Sequence, residues 1–244
     1  RYNIKTIQMK KIILTVVLCV LTLNTALAQF DTAMFVSDVF LLDNYIKRQN
    51  NGINFKDTKT YRGTPYNNPN FLPGNIYKEG TLLADNIAIR YNAVADEMEV
   101  KQTLSSNDEN ARVLTKSQDI YVKIIEDIYV FVPYQGGVEN GGYFQVIFEG
   151  GQIALYKKHV KEFIPEKKAT SSITKTLPAV FKDKPVFYLV TKSGKFYQMP
   201  KSRSKKLKVF GEKQNQMKSF TKKYNLDLNK QEDLLTAVKY YDSL

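Results

Sequence analysis

The chain has 244 residues, with 36 Lys and Arg against 24 Asp and Glu, a formal charge of +12, one His, one Cys and no Trp. At 43% hydrophobic and 25% charged residues it has a globular composition that excludes general disorder. Its 12 Gly and 8 Pro are too few for a fibrous or low-complexity repeat.

The first recognisable layout is that of an export signal. Met9-Lys10-Lys11 precedes an uncharged run from Ile12 to Leu23, and Asn24-Thr25 leads into Ala26-Leu27-Ala28 and Gln29. A positive start, a short apolar stretch and two small residues before a cleavage point are what a signal peptidase accepts. As a helix this run would rise only ~18 Å against a hydrocarbon core of ~30 Å, too little for a membrane anchor. Residues 1–28 are therefore set apart as an upstream extension plus a secretory signal, cleaved after Ala28. Cys19 lies inside the apolar run behind Leu18, and lipidation would require a small residue there. The expected mature chain thus has no cysteine, which excludes disulfides, thiol catalysis and Cys-ligated metals, and it has no transmembrane segment.

Within the mature chain, residues 29–72 read as an N-terminal helix and loop. Phe35, Val39, Leu42 and Ile46 form a helical stripe over Asp31–Gln49, and Asn50–Leu72 is polar and turn-rich. Residues 73–200 read as β. Asn75–Lys78 and Thr81–Leu83 flank a Glu79-Gly80 turn. Asn86–Asn92 and Glu97–Gln102 alternate with a period of two, as half-buried antiparallel strands do. Arg112–Thr115, Ile120–Ile124 and Tyr129–Tyr134 follow the polar loop Thr103–Ala111. Tyr143–Phe148 with Ile153–Lys157, and Pro185–Thr191 with Lys195–Met199, read as hairpins turning at Gly150-Gly151 and Ser193-Gly194. Residues 201–244 read as a basic connector followed by helices. Met217 and Phe220 have near-helical spacing, and Asn229 and Glu232 are placed to form a capping box before a Leu234, Leu235, Val238, Tyr241 stripe. The expected fold is mainly β: an antiparallel barrel, roll or sandwich of about nine or ten short strands with a C-terminal helical extension.

Several of these segments carry a resemblance. Gly63-Thr64-Pro65-Tyr66, Phe71-x-Pro-Gly74, Ile89-Arg90-Tyr91-Asn92 with Asp96-Glu97-Met98-Glu99, Gly142-Tyr143-Phe144, and the ending Glu232-Asp233-Leu234-Leu235 with Val238-Lys239-Tyr240-Tyr241 together resemble a group of exported, largely uncharacterised β-rich proteins from Bacteroidota. The resemblance implies a Gram-negative envelope or secreted location. It implies no activity and no site residue.

The chemistry-bearing residues are few. His159, the single histidine, follows Lys157-Lys158 at a strand end and reads as a surface residue. One histidine excludes His₂ and His₃ metal sites. Glu97 and Glu99 share a strand face ~6–7 Å apart, a spacing that suits a two-carboxylate glycan hydrolase, but opposite Met98 and Val100 they are expected to point to water. Asp108-Glu109 lacks the ligand spacing of a calcium loop. Gly136-Gly137 and Gly141-Gly142 read as turn glycines, with no phosphate-binding loop or nucleophile elbow. The chain is rich in Tyr (16) and Phe (14), read mainly as core. No catalytic residue, metal or cofactor is assigned.

The charge supplies the remaining signal. Residues 29–155 hold 11 basic and 16 acidic side chains, whereas residues 156–244 hold 21 and 8. Lys201, Arg203, Lys205, Lys206 and Lys208 crowd into eight residues and are the expected contacts for an anionic glycan or lipid surface. Nucleic acid is disfavoured because Lys predominates over the bidentate Arg and the chain is exported. The leading expectation is a non-enzymatic envelope or secreted module that binds a protein partner or an anionic surface. A carboxylate-dependent glycan hydrolase and a structural envelope assembly subunit are the alternatives.

Overall fold

The computed structural model describes residues 46–47, 61–133, 141–171 and 173–244. The export signal and most of the Asp31–Gln49 segment lie outside them. Ile46–Lys47, expected as the end of a helix, instead form strand β1, because their backbone pairs with Val113 and Leu114.

Further along the chain come β2 (Tyr61–Arg62), β3 (Leu72–Lys78), β4 (Thr81–Asn92), β5 (Glu97–Lys101), β6 (Arg112–Leu114), β7 (Ile120–Ile124), β8 (Asp127–Val132), β9 (Gly142–Glu149), β10 (Ile153–Lys158), β11 (Lys161–Ile164), β12 (Ala179–Asp183), β13 (Val186–Thr191) and β14 (Phe196–Gln198). Three helices follow: α1 (Arg203–Lys208), α2 (Gln214–Lys223) and α3 (Gln231–Asp242). The architecture is mainly β with C-terminal helices, as expected. Two of the expected strands, Thr81–Leu83 and Asn86–Asn92, fuse into the long β4. The junction is made at Asn86, whose backbone has a φ of +50° and donates to Asn75 Oδ1 at 2.9 Å. The short β1 and β2, and the pair β11–β12, lie where the sequence has no clear period.

Eleven strands form one antiparallel sheet in the order β1-β6-β5-β4-β3-β7-β8-β9-β10-β13-β14. It is an open meander ending in β1 and β14, not a closed barrel. Neighbours in the chain are mostly neighbours in the sheet because turns such as Glu79-Gly80 and Ser193-Gly194 fold each strand straight back. The sequential order is broken at three places, where β6 pairs with β1, β7 with β3 and β13 with β10. A second sheet, β11-β12-β2, joins the two strands of the excursion between β10 and β13 to the upstream β2. Gly63 follows β2 with a φ of +81°, and a Cβ there would stand 2.7 Å from the Phe181 carbonyl oxygen, so this close approach requires glycine.

On one sheet face Ile76, Ile89, Tyr91, Met98, Val122, Tyr129 and Tyr143 are buried. Along β10 and β13 the same face continues as Ile153, Leu155 and Leu189. There it packs with Leu207 and Phe210, with Met217 of α2, and with Leu234, Ala237 and Val238 of α3. The helices are therefore a cap sharing the sheet's core. The far end of α3 is fastened by Asp242, whose carboxylate accepts N–H groups of Gly151, Gln152 and Ile153 at 2.9, 2.6 and 3.0 Å. Among the described residues no helix is long and apolar enough to cross a membrane.

Candidate functional site

The basic tract takes its shape from the cap. Leu207, Phe210 and Met217 must turn toward β10 and β13, so the intervening charged side chains are driven outward. Lys201, Arg203, Lys205 and Lys208 are exposed, as are Lys218, Lys222 and Lys223 further along. None of these seven has a carboxylate within 4 Å among the described residues. Lys205 and Lys208 stand in the last turn of α1, where the helix dipole favours positive charge.

Lys206 is the exception, and it corrects the expectation that all five tract residues face a ligand. It is buried, and its ammonium donates to the Leu228 carbonyl at 2.6 Å and to Asn229 Oδ1 at 2.8 Å. Burial pulls its pKa down, with Asp227 opposing. The same bond explains why the capping box before α3 does not form. The Asn229 side chain is engaged by Lys206 and donates to Asp227 Oδ1 at 2.8 Å, and Lys230 takes the N-cap position with no side-chain cap. A second carboxylate, Asp233, accepts from the Asp227 N–H at 2.8 Å, closing the turn.

The candidate carboxylates fare differently from expectation. Glu99 does not face water: it is 1% exposed, because the loop from Tyr66 to Phe71 covers that face of β4 and β5. Arg90 Nε and Nη2 donate to Glu99 Oε2 at 3.1 and 2.7 Å, and Asn92 Nδ2 donates to Oε1 at 3.3 Å. The Arg90 guanidinium lies 3.8 Å from the Tyr66 ring centre and 4.2 Å from that of Phe71, and Nη1 donates to the Pro69 carbonyl. Both oxygens of Glu99 are thus engaged, Oε2 in the ion pair with Arg90 and Oε1 by the Asn92 amide. Glu97 is part-buried, which raises its carboxyl pKa despite the neighbouring Lys116. Asp108 binds Lys101 at 2.7 Å, so it works as a loop anchor.

His159 is likewise not on the surface. It is 8% exposed, its Nε2 lies 2.8 Å from Gln145 Oε1, and its ring sits 6.0 Å from those of Tyr91 and Tyr129. Burial, helped by Lys157 and Lys161, lowers its pKa to about 4. Asp96 accepts from the Tyr91 hydroxyl at 2.7 Å and from the Tyr143 N–H at 3.0 Å. Burial pushes the hydroxyls of Tyr91, Tyr129 and Tyr143 well above the ordinary tyrosine range, so all three stay protonated and work as core. The glycine segment 134–140 lies outside the described residues, while Gly141 receives a hydrogen bond from Lys158.

A shallow cleft of about 260 Å³ lies between Asn67, Asn68 and Asn70 and the turn at Ile125-Glu126. It contains none of the basic tract. Among the described residues no three His, Cys, Asp or Glu side chains group as a metal site. Sequence reasoning missed the exposed apolar side chains of the excursion between β10 and β13, of which Ile173 is the extreme. Their only signal is an isolated Ile among Lys, Ser and Thr.

Fold and site together define an open β-meander bearing a basic helical cap. The chain matches no protein-family model, no curated protein and no solved structure.

Proposed function

We propose that this chain is an exported, non-enzymatic module of the cell envelope or the secreted fraction that binds an anionic surface through Lys201, Arg203, Lys205 and Lys208. The observation that carries this reading is that these four cations are exposed and, among the described residues, without a carboxylate within 4 Å, on a backbone fixed from beneath by Lys206 and Leu207. Cations held on one packed segment with no salt bridges of their own attract a polyanion without first losing such bridges. The export half of the reading is supported by the layout from Met9 to Ala28. The burial of Glu99 against Arg90 favours this reading over a glycan hydrolase built on Glu97 and Glu99.

The test is chromatography of the protein on immobilised heparin, with salt elution. The wild-type protein is expected to be retained and to elute earlier as ionic strength rises, since screening shortens the reach of exposed charges. Replacing Lys201, Arg203, Lys205 and Lys208 together by Ser is expected to weaken binding at least ~10-fold, each cation near an anionic surface contributing about 1 kcal/mol. Salt-independent passage of the wild type, or equal retention of the variant, overturns the proposal.

A further inference from the structure

The excursion between β10 and β13 leaves the main sheet as an arm. Its base is the β11–β12 pair, in register from Lys161↔Asp183 to Ile164↔Val180, with β2 added in parallel. Phe181 anchors the base: it is buried, and its ring meets Tyr61 edge-on at 5.2 Å. Lys161 pairs with Asp183 at 2.6 Å, and Lys184 pairs with Glu162. Further out, Lys167 and Leu177 exchange N–H···O bonds of 2.9 and 2.8 Å. Near the tip Thr174 Oγ1 accepts from the N–H groups of Thr170 and Ser171 at 2.9 and 3.0 Å. The arm is therefore hydrogen-bonded along its length.

These bonds hold apolar side chains in water. Ile173 is 92% exposed, Leu177 59% and Phe163 49%. A single exposed apolar residue needs no explanation, but a group of them on one projecting arm does. Lys167, Lys168 and Lys175 flank the two outermost in the chain, and none has a carboxylate within 4 Å among the described residues. The acids Glu162 and Asp183 are spent at the base, which leaves Glu166 as the one acid of the outer half. Lys201 of the basic tract also acts on the base of the arm. The Lys184 hydrogen bond holds the Glu162 carboxyl below the usual range, and the charges of Lys182 and Lys201 act in the same direction.

We propose that the outer arm docks on an anionic lipid bilayer, with Ile173 and Leu177 entering the interface while Lys167, Lys168 and Lys175 contact headgroups. This inference rests on the anionic-surface reading and narrows it to lipid. The charge complementarity selects an anionic partner, and the apolar tip selects one with an apolar phase to enter. A soluble polyanion offers the first and lacks the second. Burying an Ile side chain corresponds to a factor of about 10–100 in partitioning, and each Lys near an anionic surface to a factor of about 5.

The test uses the full chain and two probes: vesicles of phosphatidylcholine and phosphatidylglycerol in equal parts, and immobilised heparin. Because the chain has no Trp, Ile173→Trp introduces a single tryptophan reporter at the tip. Its emission is expected to shift to the blue with anionic vesicles and to stay unchanged with heparin or with phosphatidylcholine alone. The double variant Ile173→Ser, Leu177→Ser is expected to bind the anionic vesicles ~10-fold or more weakly while eluting from heparin as the wild type does. Absence of the blue shift together with undiminished vesicle binding by the double variant overturns the lipid inference and leaves the broader reading standing. The same holds for heparin retention without vesicle binding, which points to a glycan or an acidic protein. Failure of the wild type on both probes overturns both.

Discussion

His159 is held against the rings of Tyr91 and Tyr129 with Nε2 facing the Gln145 amide oxygen, an arrangement a neutral imidazole satisfies by donating from Nε2. Its pKa falls from 6.5 to about 4 on folding, chiefly through burial. Between those values the unfolded chain binds a proton that the native protein refuses, so stability declines as pH falls through that window, and above about 6.5 the group contributes nothing. The linkage amounts to about 2 kcal/mol between pH 7 and pH 5. His159→Gln removes the titrating group, so denaturant unfolding at the two pH values should show the acid-induced loss smaller by about that amount. An equal loss in variant and wild type would mean that His159 is not buried neutral. The sequence could not reveal this burial, because Lys157-Lys158 announces solvent while the rings that cover His159 come from β4 and β8. Glu99 illustrates the same limit. Alternation in β5 correctly separates Glu97 and Glu99 from Met98 and Val100, but the Tyr66–Phe71 loop decides that Glu99 is covered.

At the scale of elements, the chain is most legible where turn chemistry is local. The β9–β10 and β13–β14 hairpins are readable from Gly150-Gly151 and Ser193-Gly194, since such residues permit the chain to reverse. By contrast, β1 and β2 are two-residue strands that exist only through their partners β6 and β12. The basic tract mixes two roles that spacing alone does not separate. Lys206 is a structural donor to Leu228 and Asn229, whereas Lys205 and Lys208 project to solvent. Lys206→Ala strands the Leu228 carbonyl and should destabilise the protein by about 1–3 kcal/mol. Lys205→Ala and Lys208→Ala should each stay within about 0.5 kcal/mol of wild type. Urea unfolding reads the first difference. Salt elution from heparin should rank them the other way, with the two solvent-facing variants leaving the column earliest. If Lys206→Ala proves neutral in stability, the cap is not pinned through this donor.

For the whole molecule, the division between a mildly acidic N-terminal part and a strongly basic C-terminal part raises the question of whether the basic part is a separate tail. Residues 46–244 form one compact unit, and Leu155 and Leu189 of the sheet share a cluster with Met217, Leu234 and Val238 of the helices. The charge boundary is therefore a surface feature that no core boundary accompanies. The sequence exposes the first plainly in its count of Lys and Arg, and hides the second, because helix stripes do not name the strands they meet. A shared core predicts shared unfolding. Leu234 is fully buried, and Leu234→Ala should cost about 2–5 kcal/mol by removing its contacts and leaving a cavity. In native-state hydrogen exchange, the amides of Ile76 and Val122 should lose as much protection as those of α3, although β8 and β9 separate their strands from β10. Loss confined to the α3 amides would instead make the cap an independently opening unit. Its lysines would then be carried on a tether, where a rigid anionic-surface site requires them to be fixed to the sheet.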